Sequence, residues 1–297
     1  MWKLGGMKMS YQIITEATCD YSEAMFKGLP EVKVIPMEVV VEEESYTYGP
    51  GGTITLEKFY AMMKEEKQFK TSQITPFMYE EYFEEVLKEG KDIIYLCFSS
   101  ALSNCYINSV QMVEELKERY PELKIVTIDT LAAANGEALF VREALQKQAE
   151  GYSFEQLVQW AEENKLAVCH WFMVDDLDCL KRGGRVSPAV AFIGSAMHIK
   201  PILRIDMDGK LDTAEKAHGD KKAMHMLATK AIEGLNPEIS KTIFVSGCDA
   251  EETCEKVKEM ILEQLPDAEV MMGPIGPVIG AHVGLGMCAV VYFGTNR

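Results

Sequence analysis

Side chains able to grip an anion gather in short polar or glycine-rich segments of this chain, each where a strand should end or a turn is required. The segments are Thr15-Glu16-Ala17-Thr18-Cys19-Asp20, Thr71-Ser72-Gln73, Ser99-Ser100-Ala101-Leu102-Ser103, Lys181-Arg182-Gly183-Gly184-Arg185, and Gly273 to Gly286. Taken alone, Thr71, Ser99, Ser100 and Ser103 read as helix caps and turn hydroxyls, because Ser and Thr at such places satisfy free backbone N–H groups. Hydroxyls at helix starts can also donate to a carboxylate, helped by backbone N–H groups and the helix dipole. His282 stands among Gly280, Gly284 and Gly286, which permit geometry and close approach denied to larger residues. A lone histidine is more often structural than a ligand. Arg185 reads either as an ordinary loop ion pair or as a charge that holds an anionic head group or acyl phosphate.

The elements that must position these segments follow the rhythm of an α/β protein, with short apolar runs alternating with amphipathic stretches. Strands are expected at Tyr11 to Thr15, Val32 to Val41, Ile93 to Phe98 and Ile125 to Asp129. Helices are expected at Leu56 to Lys67, Phe77 to Lys88, Cys105 to Tyr120 (buried stripe Val110, Val113, Leu116) and Ser153 to Asn164, with Ser153 as N-cap. From Ala167 the connections become more varied around strands at Ala167 to Val174, Ile199 to Ile205, Thr242 to Ser246 and Met287 to Phe293. The expected division is residues 1–166 and 167–297, closely packed because no Pro/Gly/Ser-rich linker separates them.

Composition agrees with two folded units: 297 residues, 47% hydrophobic and 26% charged. The 46 acidic residues against 30 basic ones leave a net charge of -16, a field that repels phosphate backbones and anionic lipid surfaces. Nucleic acid and stable membrane insertion are therefore excluded as expectations. No apolar run reaches the roughly 18 residues of a membrane span, and the first residues lack a signal-peptide core, so the expected location is the cytoplasm. The 8 cysteines include no CxxC pair and no cluster of zinc spacing. They read as small buried hydrophobes, and no metal is expected.

In their order, TSQ at Thr71, SSALS at Ser99, GGRVS at Gly183, IKPIL at Ile199 and GPVIGAHVGLG at Gly276 resemble the DegV family, from about Tyr11 to Phe293. The resemblance implies a two-domain α/β fold, an N-terminal mostly parallel sheet domain followed by a C-terminal lipid-enclosing domain whose mixed sheet encloses an apolar tunnel. It further implies a bound long-chain fatty acid, no other cofactor, and a carboxylate presented to a separate fatty-acid kinase that forms acyl phosphate. By the same resemblance, Thr71, Ser72, Ser100, Ser103, Arg185 and His282 are the carboxylate-binding residues. Val190, Phe192, Ile193, Met197 and Ile199 are candidates for the tail, and the 18 methionines suit an irregular apolar wall. Glu16-Ala17-Thr18 replaces the family's usual Asp-Ser-Thr, and Ser103-Asn104-Cys105-Tyr106 departs from its usual Ser-Gly-Thr-Tyr. Around His218 and Asp220, Ala217 to Lys222 lacks the arginines through which relatives are implicated in docking a kinase.

Catalysis by the chain itself finds little support. Ser100 or Ser103 with His282 and Asp129 would make a hydrolase triad, but no GxSxG elbow surrounds either serine. No GxxxxGK[ST] loop or GxGxxG between strand and helix is present for a nucleotide. The alternative to a kinase substrate-binding subunit is a carrier or regulatory binder of another small amphiphile.

Overall fold

The computed structural model describes residues 10–175, 177–186, 199–295 and 297. A four-stranded parallel sheet, in the order β2-β1-β6-β7, is built from β1 (Tyr11–Glu16), β2 (Lys33–Ile35), β6 (Asp92–Cys97) and β7 (Ile125–Asp129). A three-stranded antiparallel sheet joins β3 (Met37–Val41), β4 (Glu44–Tyr48) and β5 (Phe69–Thr71), with β3 in the middle. The third sheet is mixed and six-stranded: β8 (Val168–Met173), β9 (Ile199–Ile205), β10 (Leu211–His218), β11 (Thr242–Gly247), β12 (Glu269–Pro274) and β13 (Cys288–Phe293), in the order β10-β9-β8-β13-β11-β12. Only β11 and β12 run parallel in it.

The expected single strand from Val32 to Val41 is two strands in two different sheets. Pro36 stands between them with no N–H to give a ladder, so the chain leaves the parallel sheet there and enters the antiparallel one. Helices α1 (Leu56–Lys64), α2 (Pro76–Lys88) and α3 (Cys105–Arg119) lie close to their expected bounds, with Met112, Val113 and Leu116 buried in α3 and Val110 only partly so. Pro76 takes the first helical position of α2, and Thr75 caps it. Helix α5 (Phe154–Asn164) begins with a complete capping box between Ser153 and Gln156.

Helix α4 (Asn135–Ala149) has no counterpart among the helices expected from periodicity. Every residue from Asn135 to Val141 is buried, as are Glu143, Ala144, Leu145 and Gln148, so only a narrow strip at Arg142, Gln146, Lys147 and Ala149 meets solvent and the amphipathic contrast is weak. It lies between the parallel sheet and the mixed one, packing on β6 on one side and on β8, β11 and β13 on the other. Helices α2 and α3 cover the far face of the parallel sheet. Helices α7 (Asp220–Gly234) and α8 (Glu251–Gln264) cover the far face of the mixed sheet. Period-two alternation sorts the strands accordingly: Ile94 and Leu96 face α4 while Ile93, Tyr95 and Cys97 face α2 and α3.

Beneath α4 lie buried carboxyl groups without a buried cation. Glu16 Oε1 accepts the N–H of Phe98 at 2.9 Å, and its Oε2 has no partner. Glu137 lies with Oε1 2.9 Å from Thr15 Oγ1 and Oε2 2.8 Å from Thr18 Oγ1. Thr15 Oγ1 is also 2.9 Å from the carbonyl of Leu96. A hydroxyl has one proton to give, so if Thr15 donates it to Leu96, Glu137 must donate the other bond. Burial, reinforced by the neighbouring Glu16, indeed raises the pKa of Glu137 well above its ordinary 4.5.

A carboxyl whose folded pKa is raised holds a proton that the unfolded chain releases, so its stabilisation is complete below the unfolded pKa and is lost as pH climbs toward the folded one. Glu137→Gln, which keeps the shape of the protonated acid, should match the wild-type melting temperature near pH 4 and exceed it increasingly up to pH 9. Differential scanning calorimetry across that range checks this, and a variant less stable at pH 9 than at pH 5 relative to wild type would show the carboxylate to be ionised.

Candidate functional site

Between the parallel and mixed sheets runs a narrow cavity; the non-atom space in and around it, open solvent included, is about 900 Å³. Its walls come from both halves of the chain: Met37, Phe98 and Leu102 from the first, Phe172, Ile205, Leu211, Met287 and Ala289 from the second. The later half alone therefore does not enclose it. One side is α9 (Pro277–Val283), which presents Val278, Ile279 and Val283. The sequence around His282 reads as a glycine-dense loop, but Pro277 at the first helical position starts a short helix, and Gly284 and Gly286, both at positive φ, end it. Asp20 Oδ1 accepts the N–H of Gly276 at 2.8 Å, fixing the start of α9 to the end of β1.

At the C-terminal end of α9 the expected residues converge. Thr71, at the end of β5, places Oγ1 2.9 Å from His282 Nε2. Ser72, Ser103 and Arg185 line the same cavity. Gly184, at φ 70, closes α6 (Asp178–Gly183) and turns the chain so that Arg185 follows at the cavity's edge. Gly183 lies against the imidazole: a Cβ there would fall 2.3 Å from His282 Nδ1. That nitrogen is buried and has no partner. Burial, with the Arg185 charge adding to it, pushes the pKa of His282 down to about 4. The ring is thus neutral at physiological pH, with one nitrogen on Thr71 and the other free.

The hydroxyls are not equivalent. Ser72 Oγ donates to Glu38 Oε2 at 3.0 Å, so its proton is already used, although it lines the cavity. Ser103 Oγ accepts the N–H of Cys105 at 3.3 Å and donates to Cys105 Sγ at 3.2 Å, the turn role read from sequence, and it too lines the cavity. Ser99 is fully buried and donates to the carbonyl of Gly209 at 2.8 Å, a purely structural bond. Ser100 is not among the cavity's lining residues; its backbone N–H is held by Asp129 Oδ1. Ile199 pairs with His218 at the edge of the mixed sheet and is likewise not in the lining. Val190, Phe192, Ile193 and Met197 lie outside the described residues. Sequence reasoning missed Gln73, next to the selected pair, and a second polar group, Asn135, His170 and Ser246, in the same cavity.

Outside the Thr71–His282 pair the cavity adjoins a polar cleft that shares Thr71, Arg185 and His282 and adds Lys67, Lys70, Arg182, Asp175 and Asp178. A narrow apolar interior that ends in hydrogen-bonding groups and then opens to a cleft suits an amphiphile with an anionic head. Among the described residues, no cluster of His, Cys, Asp or Glu could hold a metal ion, and no helix is long and apolar enough to cross a membrane.

A family model described as "Uncharacterised protein, DegV family" matches residues 10–295. The chain belongs to the DegV family. A DegV domain-containing protein of Clostridium perfringens is 38% identical over 287 residues, covering 97% of this chain and 98% of its own. Among solved structures, DegV of Bacillus subtilis, a fatty acid binding protein, superposes with a TM-score of 0.81 at 27% identity, covering 97% of this chain and 100% of that one. A fatty-acid-binding DegV family protein of Thermus thermophilus gives a TM-score of 0.83 at 26% identity, covering 96% and 100%. The DegV fold expected from the sequence is thereby established.

The electrostatics of the head of the cavity can be read directly. In an NMR titration, the His282 ring signals should keep their neutral shifts from pH 8 to pH 5 and titrate near pH 4, while Arg185→Gln should move that midpoint upward. A ring that titrates at the ordinary 6.5 would mean that it is not held buried beside Arg185.

Proposed function

We propose that this DegV protein binds one long-chain fatty acid, with its carboxylate at Thr71, Ser103, Arg185 and His282 and its tail in the apolar cavity between residues 1–166 and 167–297. The observation that carries the reading is a narrow apolar cavity that ends at the Thr71–His282 pair beside Arg185. Relatives from Bacillus subtilis and Thermus thermophilus that bind fatty acids support it. Burying each methylene contributes about 0.8 kcal/mol, so a long tail supplies most of the affinity, and the head group chooses orientation.

The adjoining polar cleft leaves the carboxylate end reachable from outside, which is what a separate kinase forming an acyl phosphate requires. The chain in this reading supplies no acid, base or nucleotide site and acts as a cytoplasmic binding subunit. A second reading, a carrier of a small amphiphile without a kinase, is favoured by one observation. Near the segment from Ala217 to Lys222, where docking arginines are absent, Lys200 is paired with Asp175 at 2.6 Å and Asp220 at 2.9 Å. The pairing spends the charge of Lys200, which leaves the exposed lysines Lys221 and Lys222, and no arginine, for an acidic partner.

Native mass spectrometry of protein purified from cells should find one retained mass of fatty-acid size, and delipidated protein should regain one equivalent. Affinity should rise about tenfold for each pair of added methylenes until the tunnel is full; equal affinity for short and long chains would remove the tunnel reading. Thr71→Ala and His282→Ala should each weaken binding by roughly tenfold or more, the worth of a hydrogen bond to a charged group, with little change in apo melting temperature. Variants that melt early yet bind normally would return both residues to a structural role. With ATP, Mg²⁺ and fatty acid the protein alone should form no acyl phosphate; turnover that tracks the purified chain would make it an enzyme.

A further inference from the structure

The second polar group of the cavity has no use in holding a carboxylate at His282. Asn135 and Ser246 are both fully buried, and His170 is 5% exposed. Asn135 Oδ1 and Nδ2, Ser246 Oγ and His170 Nδ1 have no hydrogen-bond partner. All of these residues line the same cavity. Buried polar atoms are ordinarily paired, so several unpaired ones on one cavity wall call for a polar occupant.

Their setting is built rather than incidental. Register places Phe172, Ala289, Ser246 and Gly273 in one row across β8, β13, β11 and β12, and His170 and Val291 in the next. Gly273 makes room for Asn135, since a Cβ there would fall 2.3 Å from Oδ1, and Gly136 makes room for His170, since a Cβ would fall 1.9 Å from Nε2. The turn into α4 holds Ala134 at φ 51 and ψ -137 and Leu131 at φ 52, conformations that cost a non-glycine residue energy and gather at functional sites. His170 Nε2 accepts the N–H of Ala133 at 3.3 Å, so the neutral ring carries its proton on Nδ1. Burial keeps that ring uncharged.

Helix α9 serves as a ruler. His282 is at its C-terminal end. Its N-terminal end, at Gly276, follows directly on β12, whose Gly273 touches Asn135. Helix rise of about 1.5 Å per residue sets Gly276 roughly 9 Å from His282, and the second polar group lies past that end, beside Gly273. An acyl chain with its carboxylate at His282 would reach the second group near its middle.

We propose that Asn135, Ser246 and His170 form a subsite for an oxygen substituent on the acyl chain, so that the tunnel takes a fatty acid bearing a mid-chain hydroxyl group. The inference rests on the fatty-acid reading above. A hydroxyl both donates and accepts, matching Asn135 Oδ1 as acceptor and Asn135 Nδ2 and His170 Nδ1 as donors, with Ser246 able to do either. A keto oxygen would use only the donors.

The test compares dissociation constants of stearate, its mid-chain oxo derivative and a series of monohydroxystearates with the hydroxyl at successive carbons. In the wild type a mid-chain hydroxystearate should bind at least as tightly as stearate, more tightly than the oxo acid, and more tightly than isomers hydroxylated near either end. Asn135→Leu should cost it roughly tenfold relative to stearate, and Ser246→Ala, a smaller change that keeps the fold should the first variant fail, should act in the same direction. Thr71→Ala, at the other end, should weaken both acids alike. Stearate preferred tenfold or more in the wild type, or a hydroxyl-to-stearate ratio that neither substitution changes, would overturn the proposal and leave the subsite to water. If no acid binds at all, the fatty-acid reading itself falls, and this one with it.

Discussion

Burial of α4 on both sides is the constraint on which the rest of the molecule depends. Leu139, Phe140, Val141 and Leu145 are all without exposure, and fully burying such side chains contributes about 1.5–3 kcal/mol each. Together they approach the whole net stability of an ordinary domain, roughly 5–15 kcal/mol. The two sheets therefore cannot separate without exposing the apolar side chains that this helix buries against both. Hydrogen bonds across the seam reinforce this: Asp20 takes the N–H of Gly276, Tyr60 donates to the carbonyl of Ile275 at 2.9 Å, and Ser99 donates to that of Gly209. A tunnel placed on this seam inherits fixed walls. The same helix begins with Asn135, so the element that locks the sheets together also delivers a polar group into the cavity.

What the sequence disclosed followed from how strongly each element was marked. Strands β1, β6 and β7 are apolar runs within an α/β rhythm, and α5 carries a Ser153 cap with Gln156 behind it, so both kinds were legible. Pro36 was visible but its effect was not, because a proline tells where a strand breaks and not which sheet the next piece joins. Helix α4 was hidden for the reason that makes it central: a helix buried over most of its surface, with buried Glu137 and Glu143 among its apolar residues, has only a weak amphipathic period. Thr71, Ser103, Arg185 and His282 could be chosen through family resemblance, and all four lie in the lining of one cavity, with Thr71, Arg185 and His282 at the end that meets the polar cleft. Ser100 was chosen by the same route, yet its backbone is tied to Asp129 and its side chain is not in the lining. A hydroxyl in a run of serines carries no sign of which way it turns. Asn135, His170 and Ser246 lie far apart in sequence, each inside an ordinary element, and only the packing of α4 on the mixed sheet unites them.

The charge pattern of the site is more economical than the net charge of -16 would suggest. An anionic ligand approaching this protein meets a repulsive field, which falls off over about 8 Å in physiological salt. Close to the tunnel, Lys67, Lys70, Arg182 and Arg185 oppose it, with Glu66, Asp175 and Asp178 among them. Further in, the acidic groups are deep and protonated where burial demands it, as at Glu137, and the imidazole of His282 is neutral. Arg185 is then the formal charge nearest the carboxylate in the cavity lining. The remaining contacts there are neutral hydrogen bonds, which hold an anion without the desolvation cost of burying further cations.

Apolar contacts and hydrogen bonds divide the work of such a tunnel differently. Attraction between an acyl chain and Phe172, Val278 or Met287 depends on area and hardly on position along the axis, so by itself it would let the chain slide. Hydrogen bonds are short and directional, and one bonded end is enough to set where the chain begins. A second polar group roughly a helix length further in removes what freedom remains, but only for a ligand whose own oxygen falls at that depth. For a plain acyl chain the same group is a stretch of wall where methylenes displace water from polar atoms that they cannot satisfy. In the proposed subsite the placing of Asn135 away from His282 would act on ligand choice through mismatch as much as through attraction, since an unsatisfied buried polar group costs more than a made hydrogen bond returns.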